Sequence, residues 1–276
     1  MTPSRFPRLT TLCLALLLAA CQQVQTTESG TVGVERKQAM FSLLSNEQVN
    51  KMAAQSYAAS LRDAESKGKL NRDAKATRRV RAIADKLIPQ VAVFRKDAPN
   101  WQWEVNVESS PELNAYCAPG GKIMFFTGII DQLKLSDDEI AAIMGHEMAH
   151  ALREHGRERM SKVYSQQLLA QGISLLTKGK YDQYVDLGLD GFQLAVNLPN
   201  SRQNETEADA MGLELAARAG YNPAAAVTLW QKMAEASQGQ PPQFLSTHPS
   251  NQTRIHELQA LIPRVQPLYD EARKRR

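Results

Sequence analysis

The 276 residues are 43% hydrophobic and 22% charged, the make-up of one sizeable globular domain with ample apolar side chains for a core. The formal charge is +4, but Arg5 and Arg8 fall in a leader expected to be removed, which leaves a near balance and gives no indication of a nucleic-acid partner. Three cysteines, one of them in that leader, exclude a disulfide framework.

Residues 1–20 begin basic and continue as an apolar run from Leu9 to Ala20. This reads as a secretory signal peptide, too short for a comfortable membrane span. Leu18-Ala19-Ala20-Cys21 resembles the bacterial lipobox, which implies that Cys21 is acylated and becomes the mature N-terminus. Gln22 in place of Asp after that cysteine implies sorting to the outer membrane of a Gram-negative bacterium, with the domain facing the periplasm. Cys117 is then the lone thiol and reads as a small buried residue. Residues 21–40, rich in Gln, Thr, Ser and Gly, read as a lipid-anchored flexible tether ahead of a folded domain over 41–276.

Within the domain, periodicity predicts helices over 45–66 and 73–88, the second ended by Pro89. Their charged side chains read as a solvated face. Trp101 to Val107 alternates as a half-buried strand, with the tryptophans packing on the sheet. Asn114 to Ala118, a turn at Pro119-Gly120-Gly121, and Lys122 to Thr127 read as strand, turn, strand. If the first of these strands lies at a sheet edge, its free backbone groups suit addition of an extended peptide. A short helix over 128–133 leads into a longer one opened by Ser136 with Asp137, Asp138 and Glu139 in its first turn.

That longer helix carries His146-Glu147-Met148-Ala149-His150. Residues four apart share a helical face, so His146 and His150 can present two imidazoles to one metal, while Glu147, about 100° round the wheel, borders the same face. Ile140, Ile143, Met144, Met148 and Leu152 bury the helix, where bare polar side chains are costly without a partner. His155 lies nine residues after His146, about 180° away on a straight helix, and is excluded as a ligand of the same ion. Zinc therefore needs a further protein ligand from elsewhere.

After His155 helical character is expected to about Leu176, a break at 177–181, and helix or irregular cover over 185–196. The 177–200 segment is read as a mobile lid. Asn197 to Ser201 primes the next helix, on which Glu205 and Asp209 share a face and Glu207 points about 200° away from Glu205. One carboxylate of the Glu205/Asp209 pair can ligate zinc and the other can accept the free N–H of a ligand histidine.

His146-Glu147-Met148-Ala149-His150 with Glu205-Thr206-Glu207-Ala208-Asp209 resembles the two zinc motifs of the CAAX-prenyl-protease and HtpX-like metallopeptidases. Asn114-Ala115 with Pro119-Gly120-Gly121 is similar to that family's substrate-edge strand. Thr247-His248-Pro249 followed by Arg254-Ile255 is similar to its C-terminal signature. The resemblance covers about residues 45–262 and, without a membrane-embedded body, points to the periplasmic lipoprotein branch of LoiP- and BepA-like proteins. It implies an α+β, mainly helical, zincin-like domain with a small sheet beside the zinc helix. One Zn2+ per chain would be held by His146, His150 and Glu205, with Glu147 as general base and Asp209 behind a histidine ligand. It also implies a role for His248 at the zinc, either as a ligand that keeps the enzyme latent or as a stabiliser of the oxyanion. Substrate would lie along Asn114, Ala115, Tyr116, Cys117 and Ala118. The implied activity is endoproteolysis of unfolded or misassembled envelope proteins at the outer membrane. The alternative is a chaperone-like factor working with the outer-membrane protein assembly machinery, its protease latent.

Overall fold

The computed structural model describes residues 21–42, 44–176, 197–236, 243–249 and 252–275. The leader over 1–20, the break and cover expected over 177–196, and the greater part of the expected lid lie outside them. The architecture is α+β and mainly helical, with two small sheets.

The chain enters as β1 (Cys21–Val24), which pairs antiparallel with β2 (Gln38–Phe41), Cys21 opposite Phe41. α1 (Asn46–Ser66) starts at a capping box in which Ser45 and Gln48 exchange side-chain and backbone hydrogen bonds. α2 (Ala74–Leu87), capped by Asp73, presents a strongly amphipathic face to the core. The α-helix ends at Leu87, just ahead of Pro89, and the chain tightens into a 3-10 turn over Ile88–Val93, where the proline occupies a position with no donor to lose.

β3 (Glu104–Glu108), β4 (Ala115–Ala118) and β5 (Lys122–Phe126) form a sheet of order β3-β5-β4, parallel on one side of β5 and antiparallel on the other. β5 is central and buried on both faces, whereas β4 is an edge strand. Trp101 stacks on Trp103, ring centroids 5.6 Å apart. Gly121, at φ 84°, lets the Trp103 ring approach to where a Cβ would stand 2.7 Å away.

α3 (Thr127–Gln132) leads to α4 (Asp137–Leu152), whose Ser136/Glu139 capping box fixes its start. α5 (His155–Leu176) follows, then α6 (Arg202–Arg218), α7 (Ala225–Ala236), α8 (Gln243–Thr247) and α9 (Gln252–Lys274). α4 and α6 are the central pair, buried along almost their whole lengths. Where they cross, Gly145 faces Gly212 so closely that a Cβ on Gly212 would lie 2.5 Å from the His146 backbone nitrogen.

Residues 21–40 depart from the tether expectation. They form a strap ordered on the domain, with Val32 and Val34 in the main apolar cluster and Met40 also buried. The strap's polar composition looks solvated in sequence, yet its side chains and backbone are partners for groups of the domain. Gln38 Nε2 donates to the Arg153 carbonyl at 2.6 Å, Val32 N–H donates to Glu214 Oε2 at 3.0 Å, and Arg264 Nη2 donates to the Thr31 carbonyl at 2.6 Å.

The α4/α6 contact generates a stability prediction. Gly212→Ala forces two helix backbones apart, so urea unfolding should show a loss of about 1–3 kcal/mol or more, and zinc content should fall with it. Unchanged stability would show that the crossing can relax without cost.

Candidate metal centre

The crossing of α4 and α6 sets the site. α4 projects His146, Glu147 and His150 toward α6, which projects Glu205 and Asp209 back; α8 and the turn after it deliver His248. All six side chains are buried.

Four donor atoms converge. His146 Nε2 lies 3.1 Å from His150 Nε2 and 3.4 Å from Glu205 Oε2, and His150 Nε2 is 3.4 Å from Glu205 Oε1. His248 Nδ1 is 3.2 Å from His146 Nε2 and 3.1 Å from Glu205 Oε1. Two ligand atoms about 2.0–2.1 Å from one zinc at tetrahedral angles stand about 3.3 Å apart, so these separations fit such an ion. The donor chemistry fits as well: three imidazole nitrogens turned toward one another and a carboxylate cannot all be satisfied by the few protons available between them. Glu205 Oε2 has no hydrogen bond within the described residues; Arg254 Nη1 stands 2.7 Å away but outside hydrogen-bond geometry.

Behind each ligand atom stands a second buried group. His146 Nδ1 is 2.9 Å from Asp209 Oδ1. Asp209 in turn accepts from Arg254 Nε and Nη2, both at 2.7 Å, and Arg254 lies over the Trp230 ring at 3.7 Å. An N–H donated from Nδ1 to Asp209 leaves Nε2 with its lone pair toward the cluster.

The support of His150 comes from a residue that the straight-helix argument sets aside. α4 ends at Leu152, and Glu154 adopts a left-handed conformation at φ 53°. The chain turns there and starts α5 at His155. His155 Nδ1 thereby comes within 2.8 Å of His150 Nδ1, and its Nε2 lies 3.1 Å from Glu207 Oε2. His155 is outside the ligand group yet stands directly behind a ligand. Sequence reasoning also gave Glu207, Arg254, Arg153 and Arg36 no function; the available signal was that so many charged residues near a buried motif need partners.

The charges follow from these contacts. Burial alone would lower His146, but Asp209 and Glu205 overcome it and raise it to about 9. His150 is driven down by burial, and His155 is lowered to about 4 chiefly by the same cause, so it is neutral near pH 7. Burial would raise Glu205, but His248, His146 and His150 hold it far below the ordinary carboxylate range. Burial also pushes Glu147 up, the direction expected of a carboxylate that exchanges protons near neutral pH. Its Oε1 has no hydrogen-bond partner among the described residues and lies 3.5 Å from His248 Nε2.

A cleft of about 320 Å³ opens onto this cluster, lined by Asn114 to Pro119, Glu147, His150 and His248 together with Arg159 and Asn200. Asn114, Ala115, Tyr116, Cys117 and Ala118 therefore form one wall. The Ala115 N–H is taken by the Asn114 side chain at 2.9 Å, and the Cys117 N–H donates to Glu147. Burial pushes the Cys117 thiol up, away from nucleophilic reactivity. Of the lid segment, Asn197 and Asn200 reach the cleft.

A helix bearing His-Glu-x-x-His laid against a second helix that supplies a glutamate defines a zincin-like metallopeptidase domain. The model for Peptidase family M48 matches residues 74–262, more than half of the chain, and the protein belongs to that family. It is similar to the mitochondrial metalloendopeptidase OMA1 of Schizosaccharomyces pombe, 36% identical over 169 residues, 60% of this chain and 48% of that protein. It is also similar to the metalloprotease LoiP of Escherichia coli, 25% over 156 residues (55% and 60%). A third relative is the beta-barrel assembly-enhancing protease of Yersinia pestis, 26% over 171 residues (58% and 34%). The chain spans between about a third and a half of the length of the mitochondrial relatives it matches. Because they match at higher identity than the two bacterial proteins, similarity establishes the family and not the LoiP- and BepA-like branch.

The Glu207 contacts give a pH prediction. Burial would raise this carboxyl, but hydrogen bonds from His155 and Arg36 and the charge of Arg153 hold it near 2, below its ordinary 4.5. A depressed carboxylate stabilises the fold above its unfolded pKa, and that contribution is lost as pH falls from 4.5 toward 2. Urea midpoints should therefore drop more steeply across that window for wild type than for Glu207→Gln. Parallel curves would show that Glu207 gains nothing from its partners.

Proposed function

We propose that the chain is a zinc-dependent metalloendopeptidase that hydrolyses peptide bonds of extended, unfolded or misassembled envelope proteins. The observation that carries this reading is the buried four-donor cluster with the Glu147 carboxylate beside it and an edge strand alongside. His146, His150 and Glu205 are assigned as the ligands. When bound there, zinc supplies Lewis acidity, activating water and polarising the scissile carbonyl.

The remaining work belongs to the protein. β4 holds the substrate extended along Asn114 to Ala118 by main-chain pairing, with Tyr116 and Ala118 turned to the partly exposed side. Glu147 takes a proton from the attacking water and returns it to the leaving amine. Asp209 and His155 keep the ligand imidazoles in the tautomer that leaves the metal-facing nitrogen free. His248, with Nδ1 in the fourth corner of the cluster, is assigned as a closing ligand that must withdraw before substrate is turned over.

The setting follows from the lipobox-like Leu18-Ala19-Ala20-Cys21, which supports an outer-membrane lipoprotein facing the periplasm. Among the described residues no helix is long and apolar enough to cross a membrane. The name of the Yersinia pestis relative, a beta-barrel assembly-enhancing protease, supports the β-barrel assembly machinery as a partner. The position of His248 also favours a second reading, a chaperone-like assembly factor whose protease is usually closed.

Digestion of casein and of an unfolded outer-membrane protein by wild type, Glu147→Gln and His248→Ala tests both. All three should carry about one zinc per chain, and wild type lacking zinc from zinc-replete cells would overturn the central assignment. Glu147→Gln should lose about 10²–10⁴-fold in rate. A faster His248→Ala identifies a closing ligand, a slower one an oxyanion donor, and an unchanged rate neither. Wild type that suppresses aggregation but cleaves nothing would favour the chaperone.

A further inference from the structure

The strap contributes to the metal centre through Arg36. Its guanidinium lies between two carboxylates from two helices. Toward α6, Nε donates to Glu207 Oε1 at 2.5 Å and Nη2 to Glu207 Oε2 at 3.2 Å. Toward α5, Nη1 donates to Glu158 Oε1 at 2.5 Å and Nη2 to Glu158 Oε2 at 3.0 Å. Glu207 faces His155, which faces His150. Glu158 lies one turn beyond His155 on the same helix. Arg36 thus fixes the spacing between the helix that carries His155 and the one that carries its acceptor.

Oxygen by oxygen, the dependence is specific. Glu207 Oε2 accepts from Arg153 Nε at 2.9 Å, Arg153 Nη2 at 2.8 Å and His155. Among the described residues, Oε1 has Arg36 as its hydrogen-bond donor. Without it, one buried carboxylate oxygen is left unpaired and the carboxylate is free to rotate away from His155. The strap also holds the α4–α5 junction, because the Arg153 carbonyl accepts from Gln38 Nε2 at 2.6 Å and Thr26 Oγ1 at 3.2 Å. Arg153 itself donates from Nη2 to the Arg36 carbonyl at 2.8 Å.

We infer that Arg36 is a positioning residue for the metal centre, acting through Glu207 and His155 to orient the ligand His150. The inference rests on the assignment of His150 as a zinc ligand made above. The chain of groups has one consistent set of proton positions. With His150 Nε2 facing the cluster, His150 Nδ1–H donates to His155 Nδ1, and His155 Nε2–H donates to Glu207. A negative Glu207 at the far end raises the donor strength of His150, and Arg36 keeps that carboxylate in line. Groups that orient metal-bound histidines typically contribute about 10–100-fold in metal affinity.

The test compares the full chain with Arg36→Ala, Arg36→Lys and Arg264→Ala. Arg264 also ties down the strap, through Thr31, but does not touch the relay. Zinc affinity is read by chelator competition, and the cobalt-substituted protein by its d–d absorption, alongside thermal melts of the metal-free forms. Arg36→Ala should bind zinc at least about tenfold more weakly and shift the cobalt spectrum. Arg36→Lys, which keeps the charge and loses the fork, should fall between it and wild type. Arg264→Ala should match wild type in both metal readouts even if its melt is lowered. Zinc affinity and cobalt spectra of Arg36→Ala indistinguishable from wild type would overturn the inference, as would an equal loss in Arg264→Ala. Wild type that binds no zinc would instead overturn the ligand assignment, so the two failures are distinct. If Arg36→Ala does not fold, the contrast between Arg36→Lys and Arg264→Ala carries the same decision.

Discussion

Two helices must touch backbone to backbone before any of the chemistry can be assembled. Gly145 and Gly212 allow α4 and α6 to cross at that distance, with the Gly212 Cα side against the His146 nitrogen. His146 is the residue next to one glycine, and Asp209 lies one turn before the other. The packing contact and the metal cluster are therefore one piece of structure. A side chain of ordinary size would separate the helices by ångströms, and ligand spacings of 3.1 to 3.4 Å leave no room for that.

The same closeness buries many charged groups at once. Glu205 and Asp209 share one face of α6 and Glu207 lies on another, each expensive to bury alone. Arg254 serves Asp209 and Glu205 together, while Arg153 and Arg36 serve Glu207. Arg254 comes from α9 and Arg36 from the strap, so the two ends of the described chain close on the centre from opposite sides. Removal of either guanidinium leaves a buried carboxylate short of a partner, and that makes remote segments part of the site.

What the sequence made readable follows from the range of the interactions involved. The α4 motif, its capping box and the Glu205/Asp209 pair are local patterns of three and four residues, and spacing alone places them on faces. The zincin-like α+β class followed from the family resemblance those motifs carry. His155 escaped because a left-handed Glu154, with no glycine or proline to announce it, breaks the helix. The wheel argument correctly kept His155 from the ligand set but assumed a straight axis. The strap escaped for another reason: its Gln, Thr and Arg side chains look solvated until partners more than a hundred residues away are known. The edge position of β4 required the order of the whole sheet, which no single strand encodes.

The four donors are not held alike. His146 is backed by Asp209 and Arg254, His150 by His155 and Glu207, and Glu205 stands beside Arg254, all within the buried interior. His248 has a different kind of support. Its ring stacks on Phe244 at 4.4 Å, and Asn200 reaches its Nδ1 only at 3.4 Å. It sits at the end of a five-residue helix tied to the chain before β4 through the Phe244 N–H and the Leu113 carbonyl. The carboxylate beyond the ring, Glu147 Oε1, stands 3.5 Å from His248 Nε2, whereas Asp209 holds His146 Nδ1 at 2.9 Å. Withdrawing His248 breaks the Phe244 stacking, the 3.4 Å contact with Asn200 and the 3.1 Å contact with Glu205 Oε1, whereas withdrawing His146 or His150 takes a partner from Asp209 or His155. The proposed opening therefore falls on the donor whose departure leaves the Asp209–Arg254 support of His146 and the His155–Glu207 support of His150 whole.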